Sequence, residues 1–166
     1  MNNAKIKIDF YLNNKKQNLL VNPSDRISKI LREDLSLMGT KIGCNAGDCG
    51  SCTILVDDEP VCSCLMTVAK AEKKNIQTIE GLSLNGINNL QKSFLKHGAA
   101  QCGICTPGLL ITASALLKKN STPSKKEVEE ALSGVLCRCT GYQKIITAVM
   151  NVNSDEIKEP VDSKSV

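Results

Sequence analysis

The sequence predicts an α+β fold in which a strand-rich first half is followed by an all-helical second half. The first half opens with apolar side chains at every second position, the pattern of a half-buried strand: Ile6, Ile8, Phe10 and Leu12. After Gly81 the apolar spacing becomes helical, with one face formed by Ile87, Leu90, Gln91 and Phe94. We therefore predict domains at residues 1–81 and 82–153. We expect the polar tail 154–166 to be disordered or to lie on a partner.

Turn residues divide the first half into short strands. Residues 13–14, Asn-Asn, are a turn signal, and "KQNLLV" predicts the returning strand. "CTILVDDEPVCSC" predicts a hairpin that turns at residues 57–58, and "IQTIEGL" predicts a last short strand that ends at Gly81. Between these strands, "NPSDRISKILREDL" predicts a helix capped by Ser24 or Asp25, with one face formed by Ile27, Ile30 and Leu31.

The sequence predicts four helices of modest length in the second half. Gly98 predicts the end of the first. Thr106 followed by Pro107 predicts an N-cap and first turn for the second. Ser124 and Glu127 form a capping-box pattern for the third, which runs to about residue 132. "GYQKIITAVMNV" predicts the fourth.

Composition excludes several classes of protein. Aromatic residues make up 2% of the 166 residues, too few for a base-stacking surface, and the net charge of +4 is spread along the chain. We therefore expect no nucleic-acid partner. The sequence has no long apolar run and no secretory leader pattern at its start, so we expect a cytoplasmic protein without membrane insertion. Nine cysteines, an odd number, disfavour a closed disulfide framework.

The stretch "CNAGDCGSC" indicates an iron–sulfur site. Cys44, Cys49 and Cys52 have the C-x4-C-x2-C spacing of plant-type [2Fe–2S] proteins, in which a short loop supplies three thiolates and a distant strand supplies the fourth. Three glycines would let the loop backbone pass close to the inorganic sulfides: Gly43, Gly47 and Gly50. The fourth ligand stays open on this reasoning, because Cys62 and Cys64 lie two apart on one strand and face the same way.

A second group of cysteines is divided between two helix starts. Cys102 and Cys105 precede the Pro107 helix, and Cys137 and Cys139 precede the last helix. Helix N-termini suit a net-anionic group. Four thiolates can hold either a zinc ion or a second [2Fe–2S] cluster, and the spacing alone leaves both possible.

Three motifs together resemble the iron–sulfur subunit of the molybdenum hydroxylases, the xanthine dehydrogenase, aldehyde oxidase and aerobic carbon monoxide dehydrogenase family: "GCNAGDCGSCTILVDDEPVCSC", "GAAQCGICTPG" and "GVLCRCTGY". The resemblance runs from about Lys5 to Asn151. It implies a β-grasp ferredoxin-like domain followed by a four-helix bundle, each with a [2Fe–2S] cluster. It also favours iron over zinc at the second site.

The resemblance assigns ligands that the spacing left open. It implies that Cys64 completes the first site with Cys44, Cys49 and Cys52, and that the second site consists of Cys102, Cys105, Cys137 and Cys139. Cys62 then occupies a position that is usually not cysteine. It is either a half-buried small apolar residue or a neighbouring thiol that could substitute as a ligand or be oxidised. Gln101 and Cys139 would approach a molybdopterin held by a partner subunit.

The implied function is electron transfer without catalysis by this chain alone. The sequence lacks a G-x-G-x-x-G dinucleotide motif and any obvious acid–base or nucleophile constellation, so no catalytic residue is predicted. The resemblance implies a relay from a molybdopterin-binding large subunit to an FAD-binding medium subunit, in a heterotrimer that is possibly doubled. Two alternatives remain at this stage: a free-standing ferredoxin-like carrier or redox sensor, and a zinc-stabilised interaction module fused to a ferredoxin.

Overall fold

The computed structural model describes residues 4–153 and confirms the α+β class. Five strands form one mixed sheet in the order β2-β1-β5-β3-β4. These are β1 (Ile6–Leu12), β2 (Lys15–Val21), β3 (Thr53–Val56), β4 (Glu59–Cys62) and β5 (Asn75–Gln77). The helices are α1 (Ile27–Lys29, continued by a π turn at Ile30–Asp34), α2 (Asn89–Lys96), α3 (Thr106–Lys119), α4 (Lys125–Leu132) and α5 (Gln143–Met150). The predicted tail, 154–166, lies outside the described residues.

Two predicted hairpins are confirmed. β1 pairs antiparallel with β2, and β3 pairs antiparallel with β4. Their turn residues have positive φ angles, 49° and 66° at Asn13 and Asn14 and 49° and 70° at Asp57 and Asp58. Asn and Asp tolerate this left-handed conformation, which matches the twist of the flanking strands. β5 joins the hairpins because it runs parallel to β1 and antiparallel to β3.

The last strand is shorter than the sequence predicted. It ends at Gln77, and Ile79–Ser83 form a 3₁₀ helix instead of continuing the strand to Gly81. The Asn13 side chain explains this ending. It accepts from the Thr78 N–H at 2.9 Å and donates to the Thr78 hydroxyl at 3.0 Å, so Thr78 bonds to a turn side chain rather than to a strand.

The helix after β2 buries the predicted face. Ile27, Ile30 and Leu31 are each at most 1% exposed and pack under the sheet. The Leu35 N–H bonds to the Ile30 carbonyl at 3.0 Å, five residues back, which makes this turn a π turn. The helix starts where the Ile27 N–H donates to the Met66 carbonyl at 2.9 Å.

The predicted caps of this helix were wrong. The N-cap is Arg26, which makes no side-chain capping bond. The Ser24 hydroxyl donates to the Asn22 side chain, and Asp25 pairs with Lys29 one turn later. Both predicted caps are therefore used in other local contacts, and the long-range bond to Met66 fixes the helix start instead.

The second half contains the four predicted helices, and α2 packs on α5 while α4 contacts both α3 and α5. The capping box of Ser124 and Glu127 is confirmed. Gly98 follows α2 with a φ of 58°, as predicted for a residue after a helix end. The core between the helices is built from apolar side chains that include Leu90, Phe94, Leu109, Val128, Leu132, Ile145 and Val149.

The predicted start of α3 was one residue late. Cys105, not Thr106, is the N-cap, and Pro107 lies within the first turn. The Thr106 hydroxyl makes no capping bond and is buried without a hydrogen-bond partner among the described residues. Cys105, a candidate metal ligand, is therefore also the residue at which α3 begins.

The two halves share an apolar contact. Leu55 of β3 packs against Ile111 and Ala115 of α3, and Ile79 and Leu82 of the 3₁₀ helix pack against the same group. The segment between the halves is thus part of the core. Within residues 4–153, no helix has the length and apolar character needed to cross a membrane.

Candidate metal centres

Three thiols of the first site lie on the loop that leads into β3. Cys44 is exposed, Cys49 is half-buried and Cys52 is buried. The main-chain N–H groups of Ala46 and Cys49 donate to the Cys44 sulfur at 3.3 and 3.4 Å. These bonds lower the pKa of Cys44 to about 7. The loop therefore stabilises a thiolate, the form of cysteine that binds metal.

A fourth thiol, Cys64, follows β4 and is 1% exposed. Burial, together with its contact with Cys52, raises the pKa of Cys64 to about 11. Two neighbours position it. The Ser63 hydroxyl donates to the Cys52 carbonyl at 2.7 Å, and the Arg26 guanidinium donates to the Cys64 carbonyl. The sequence analysis did not identify Ser63 or Arg26, because both act on main-chain atoms far away along the chain.

Cys62 lies beside the same thiols. It is the last residue of β4 and is half-buried. Its thiol donates to the Gly47 carbonyl at 3.7 Å, and it also contacts Cys52. Burial is the main cause of the raised pKa of Cys62, followed by the neighbouring Cys52 charge. The first site thus contains five thiols.

The three glycines predicted to line this site lack room for a side chain. A Cβ on Gly43 would lie 2.9 Å from the Cys49 sulfur. Gly47 has a φ of 89°, a conformation that L side chains rarely adopt. Gly50 has a φ of 67°, and a Cβ there would lie 2.1 Å from the Gly134 carbonyl oxygen. Gly43 therefore lets the loop pass close to sulfur, whereas Gly50 lets it contact the helical half.

The second site brings together the two predicted cysteine pairs. The Cys102 and Cys139 sulfurs lie 3.5 Å apart, and Cys137 lies near enough to Cys105 to contribute to the raised pKa of Cys105. Each contact joins one thiol before α3 to one thiol before α5. Burial raises the pKa of Cys105 to about 12, whereas the hydrogen bond with Cys102 is the largest cause of the raised pKa of Cys139.

Two hydroxyl groups hold the Cys137 loop. The Tyr142 hydroxyl accepts from the Cys137 N–H at 2.8 Å and donates to the Val135 carbonyl at 3.0 Å. The Thr140 hydroxyl lies 3.1 Å from the Cys137 sulfur. Burial alone would raise the pKa of Cys137, but the bonds to Thr140 lower it overall. Sequence reasoning missed both roles, since neither hydroxyl has a distinctive spacing.

The geometry of the thiols fits [2Fe–2S] clusters. Two thiolates bound to one tetrahedral metal at about 2.3 Å lie about 3.8 Å apart, close to the 3.5 Å between Cys102 and Cys139. At the second site the thiols approach one another in two pairs, and each iron of a [2Fe–2S] cluster takes two protein ligands. Binding would release the thiol protons.

The two sites are joined by the main chain. The Leu136 N–H donates to the Cys49 carbonyl at 2.9 Å, so the residue before Cys137 is bonded directly to the first cysteine loop. Next to this bond, a Cβ on Gly108 would lie 2.6 Å from the Gly50 carbonyl oxygen. The loop carrying the first site is therefore packed against the half carrying the second.

The outer ends of both sites reach solvent. Gln101, Cys102 and Cys139 are exposed on the helical half, and Cys44 is exposed on the strand-rich half. Gln101 precedes Cys102 directly in the sequence, and the approach of Gln101 and Cys139 to a molybdopterin stays a prediction.

Comparison with known proteins identifies both halves. Residues 10–83 match the family model described as "2Fe-2S iron-sulfur cluster binding domain". Residues 78–150 match the model described as "[2Fe-2S] binding domain". Two [2Fe–2S]-binding domains account for the two groups of thiols. The prediction of two such clusters is confirmed.

Relatives over nearly the full chain are iron–sulfur subunits. The nicotine 6-hydroxylase small subunit of Paenarthrobacter nicotinovorans is 45% identical over 147 residues, 89% of this chain and 89% of the relative. The xanthine dehydrogenase iron-sulfur-binding subunit of Escherichia coli O157:H7 is 41% identical over 158 residues, 91% and 97% of the two chains. In the crystal structure of quinoline 2-oxidoreductase from Pseudomonas putida 86, one chain is 45% identical, with a TM-score of 0.86 and coverage of 93% of this chain and 99% of that one. The chain therefore belongs to the iron–sulfur small-subunit family of the molybdenum hydroxylases, as a component of a multi-subunit oxidoreductase.

Proposed function

We propose that this chain relays electrons from a molybdopterin-bound molybdenum centre on a large subunit to FAD on a medium subunit. Each [2Fe–2S] cluster, when bound, supplies a one-electron redox centre. Cys44, Cys49, Cys52 and Cys64 would hold one cluster in a β-grasp domain, residues 1–81. Cys102, Cys105, Cys137 and Cys139 would hold the other in a four-helix bundle, residues 82–153. The complex would be a cytoplasmic heterotrimer, possibly doubled.

The hydrogen bond between Leu136 and Cys49 is the observation that carries this proposal. It connects a ligand residue of one site, through one N–H···O contact of 2.9 Å, to the residue that precedes Cys137 of the other. Electron transfer between two centres requires a short and fixed separation. This bond and the close backbone contacts around Gly50 hold the two cysteine-bearing loops together, as such a relay requires.

Burial gives the two sites distinct inner and outer sides. Cys105 is buried and Cys137 is half-buried, whereas Cys102 and Cys139 of the same site are exposed. The exposed pair, with Gln101, would face the molybdopterin. The exposed Cys44 loop would face the flavin. The chain's own contribution is to hold the clusters, to limit the access of water between them and to leave one end of each accessible.

Metal and sulfide content of the anaerobically purified chain tests the two clusters. About four irons and four sulfides with no zinc support the proposal, whereas about two irons, two sulfides and one zinc would overturn it. Electron paramagnetic resonance (EPR) of the reduced chain should show two signals, each with relaxation enhanced by the other. A Cys105→Ala control should remove one signal and so assign it.

Isolation of the chain in its native complex tests the partners. The complex should contain molybdenum and FAD in a one-to-one ratio with this chain. A chain that purifies alone, with both clusters and no partner, would support the free-standing carrier instead.

A further inference from the structure

The first metal site contains one thiol more than a [2Fe–2S] cluster requires. We infer that Cys62 is a reserve ligand, able to bind the iron held by Cys52 when Cys64 does not. The inference rests on the proposed function, because it assumes that the first site holds a cluster. Cys64 remains the resting ligand.

The sheet pairing places Cys62 beside Cys52. Cys62 pairs with Thr53, the residue that follows Cys52. Ser63 then donates to the Cys52 carbonyl twice, from its N–H at 3.3 Å and from its hydroxyl at 2.7 Å. These bonds hold Ser63 against Cys52, so the cysteines on both sides of Ser63 are held near the same sulfur.

The thiol contacts agree with this placement. After burial, the neighbouring Cys52 side chain contributes to the raised pKa of both Cys62 and Cys64, which agrees with their placement beside it. The Cys62 thiol also donates to the Gly47 carbonyl at 3.7 Å, within the loop that carries Cys44 and Cys49. Cys62 therefore lies at the edge of the cluster site rather than elsewhere on β4.

The difference between the two thiols explains which one binds at rest. Cys64 is 1% exposed, and Arg26 fixes its main chain through the Cys64 carbonyl. Cys62 is half-buried and its thiol is bonded to Gly47. Cys64 is thus held in place by the protein core, whereas Cys62 has the solvent access that exchange requires.

The exchange is a ligand substitution without electron transfer. The Cys62 thiol breaks its bond to the Gly47 carbonyl and releases its proton to water. The resulting Cys62 thiolate would bind the iron as the iron–sulfur bond to Cys64 breaks, and the departing Cys64 thiolate would take up one proton from water. The cluster keeps four thiolates and its charge.

Three full-length variants test the inference: Cys64→Ala, Cys62→Ala and the double variant Cys62→Ala/Cys64→Ala. Alanine is chosen at 64 because a serine could itself bind iron. Iron content and EPR of the reduced protein are measured after anaerobic purification. The signal of the helical-half cluster reports in each variant whether the chain has folded.

We expect Cys64→Ala to retain about four irons per chain, with an altered signal from the first cluster and an unchanged signal from the second. Cys62→Ala should match the wild type in both measurements. The double variant should contain about two irons and show the second signal alone. Two irons or fewer in Cys64→Ala would overturn the inference, as would four irons in the double variant. Failure of the wild type to contain four irons would instead count against the proposed function.

Discussion

The main-chain N–H of Leu136 donates a 2.9 Å hydrogen bond to the carbonyl oxygen of Cys49. This contact joins two loops that each carry candidate metal ligands and that are separated by more than half of the sequence. It requires close approach of the two backbones. Glycine at position 50 permits that approach, since a side chain there would meet the Gly134 carbonyl.

Replacement of Gly50 by alanine should disrupt this contact. The new Cβ would lie 2.1 Å from the Gly134 carbonyl oxygen, and the φ of 67° is unfavourable for alanine. We expect the free energy of unfolding to fall by about 2 kcal/mol. This corresponds to a fall in apparent melting temperature of about 4–8 °C. The mutual relaxation enhancement of the two EPR signals should also weaken.

Gly134→Ala provides the matched control. A Cβ at this position meets nothing within 4 Å, so stability and EPR coupling should stay near the wild-type values. If Gly50→Ala and Gly134→Ala changed stability and EPR coupling equally, the absence of a side chain at Gly50 would not be what permits the Leu136–Cys49 contact.

Removal of the Tyr142 hydroxyl should weaken the second site selectively. Tyr142→Phe deprives the Cys137 N–H of its acceptor and the Val135 carbonyl of its donor. A buried main-chain N–H or carbonyl left without a hydrogen-bond partner lowers stability by about 1–3 kcal/mol. The helical-half cluster should therefore be lost to a chelator about tenfold faster, as followed by its EPR signal.

The signal of the first cluster should decay at the wild-type rate in the same Tyr142→Phe sample. Tyr11→Phe, which alters an exposed tyrosine on β1, should leave both rates unchanged. Parallel acceleration of both clusters in Tyr142→Phe would indicate general unfolding rather than a local role for the hydroxyl.

Loss of the α4 capping box should destabilise the chain in a pH-dependent way. Hydrogen bonds from Ser124 and then from Asn120 hold the pKa of Glu127 below its ordinary value of 4.5. The carboxylate thus stabilises the fold above about pH 4.5, and this contribution is lost as the pH falls through the lowered value. Ser124→Ala should lower the free energy of unfolding by about 1 kcal/mol at pH 7 and by less at pH 4.

The free energy of unfolding is measured for the variant and the wild type at each pH. The difference between the two removes the acid destabilisation that both share. Ser133→Ala is the control, because its hydroxyl donates to the Glu130 carbonyl and contacts no carboxylate. A Ser124→Ala penalty that is constant between pH 7 and pH 4 would contradict the linkage to Glu127.

Local signals in the sequence predicted much of the fold. The alternation in β1, the turns at residues 13–14 and 57–58 and the box at Ser124 depend on neighbouring residues, and all are present in the structure. Two of the errors arise where a distant group replaces a local one. Asn13 ends β5 by bonding to Thr78, and the Met66 carbonyl fixes the start of α1.

The candidate sites likewise contain features that local sequence predicted and features that it did not. Cysteine spacing identified both groups of thiols, because ligands on one loop must be close in sequence to share a cluster. The choice between Cys62 and Cys64 depended on family resemblance, since residues two apart on a strand share a face. The supporting groups, Ser63 and Tyr142, act through main-chain atoms and leave no pattern in the sequence.

Arg26 should be required for the fourth ligand of the first site. Its guanidinium donates to the Cys64 carbonyl, and the adjacent Ile27 N–H donates to the Met66 carbonyl. A hydrogen bond from a charged group contributes about 1.5–3 kcal/mol. Arg26→Ala should therefore release the segment around Cys64 and make the first cluster about tenfold more labile to chelation, with the second cluster unaffected.

Arg32→Ala is a matched control for this effect. Arg32 also donates to main-chain carbonyls, at Met38 and Thr40, but it does not contact the Cys64 segment. Iron release monitored by EPR should separate the two variants. A first cluster that is equally labile in both would mean that the helix as a whole, rather than the Arg26 contact with Cys64, holds the ligand. A selective effect of Arg26 would show that a residue 38 positions away along the chain sets the position of the fourth thiol.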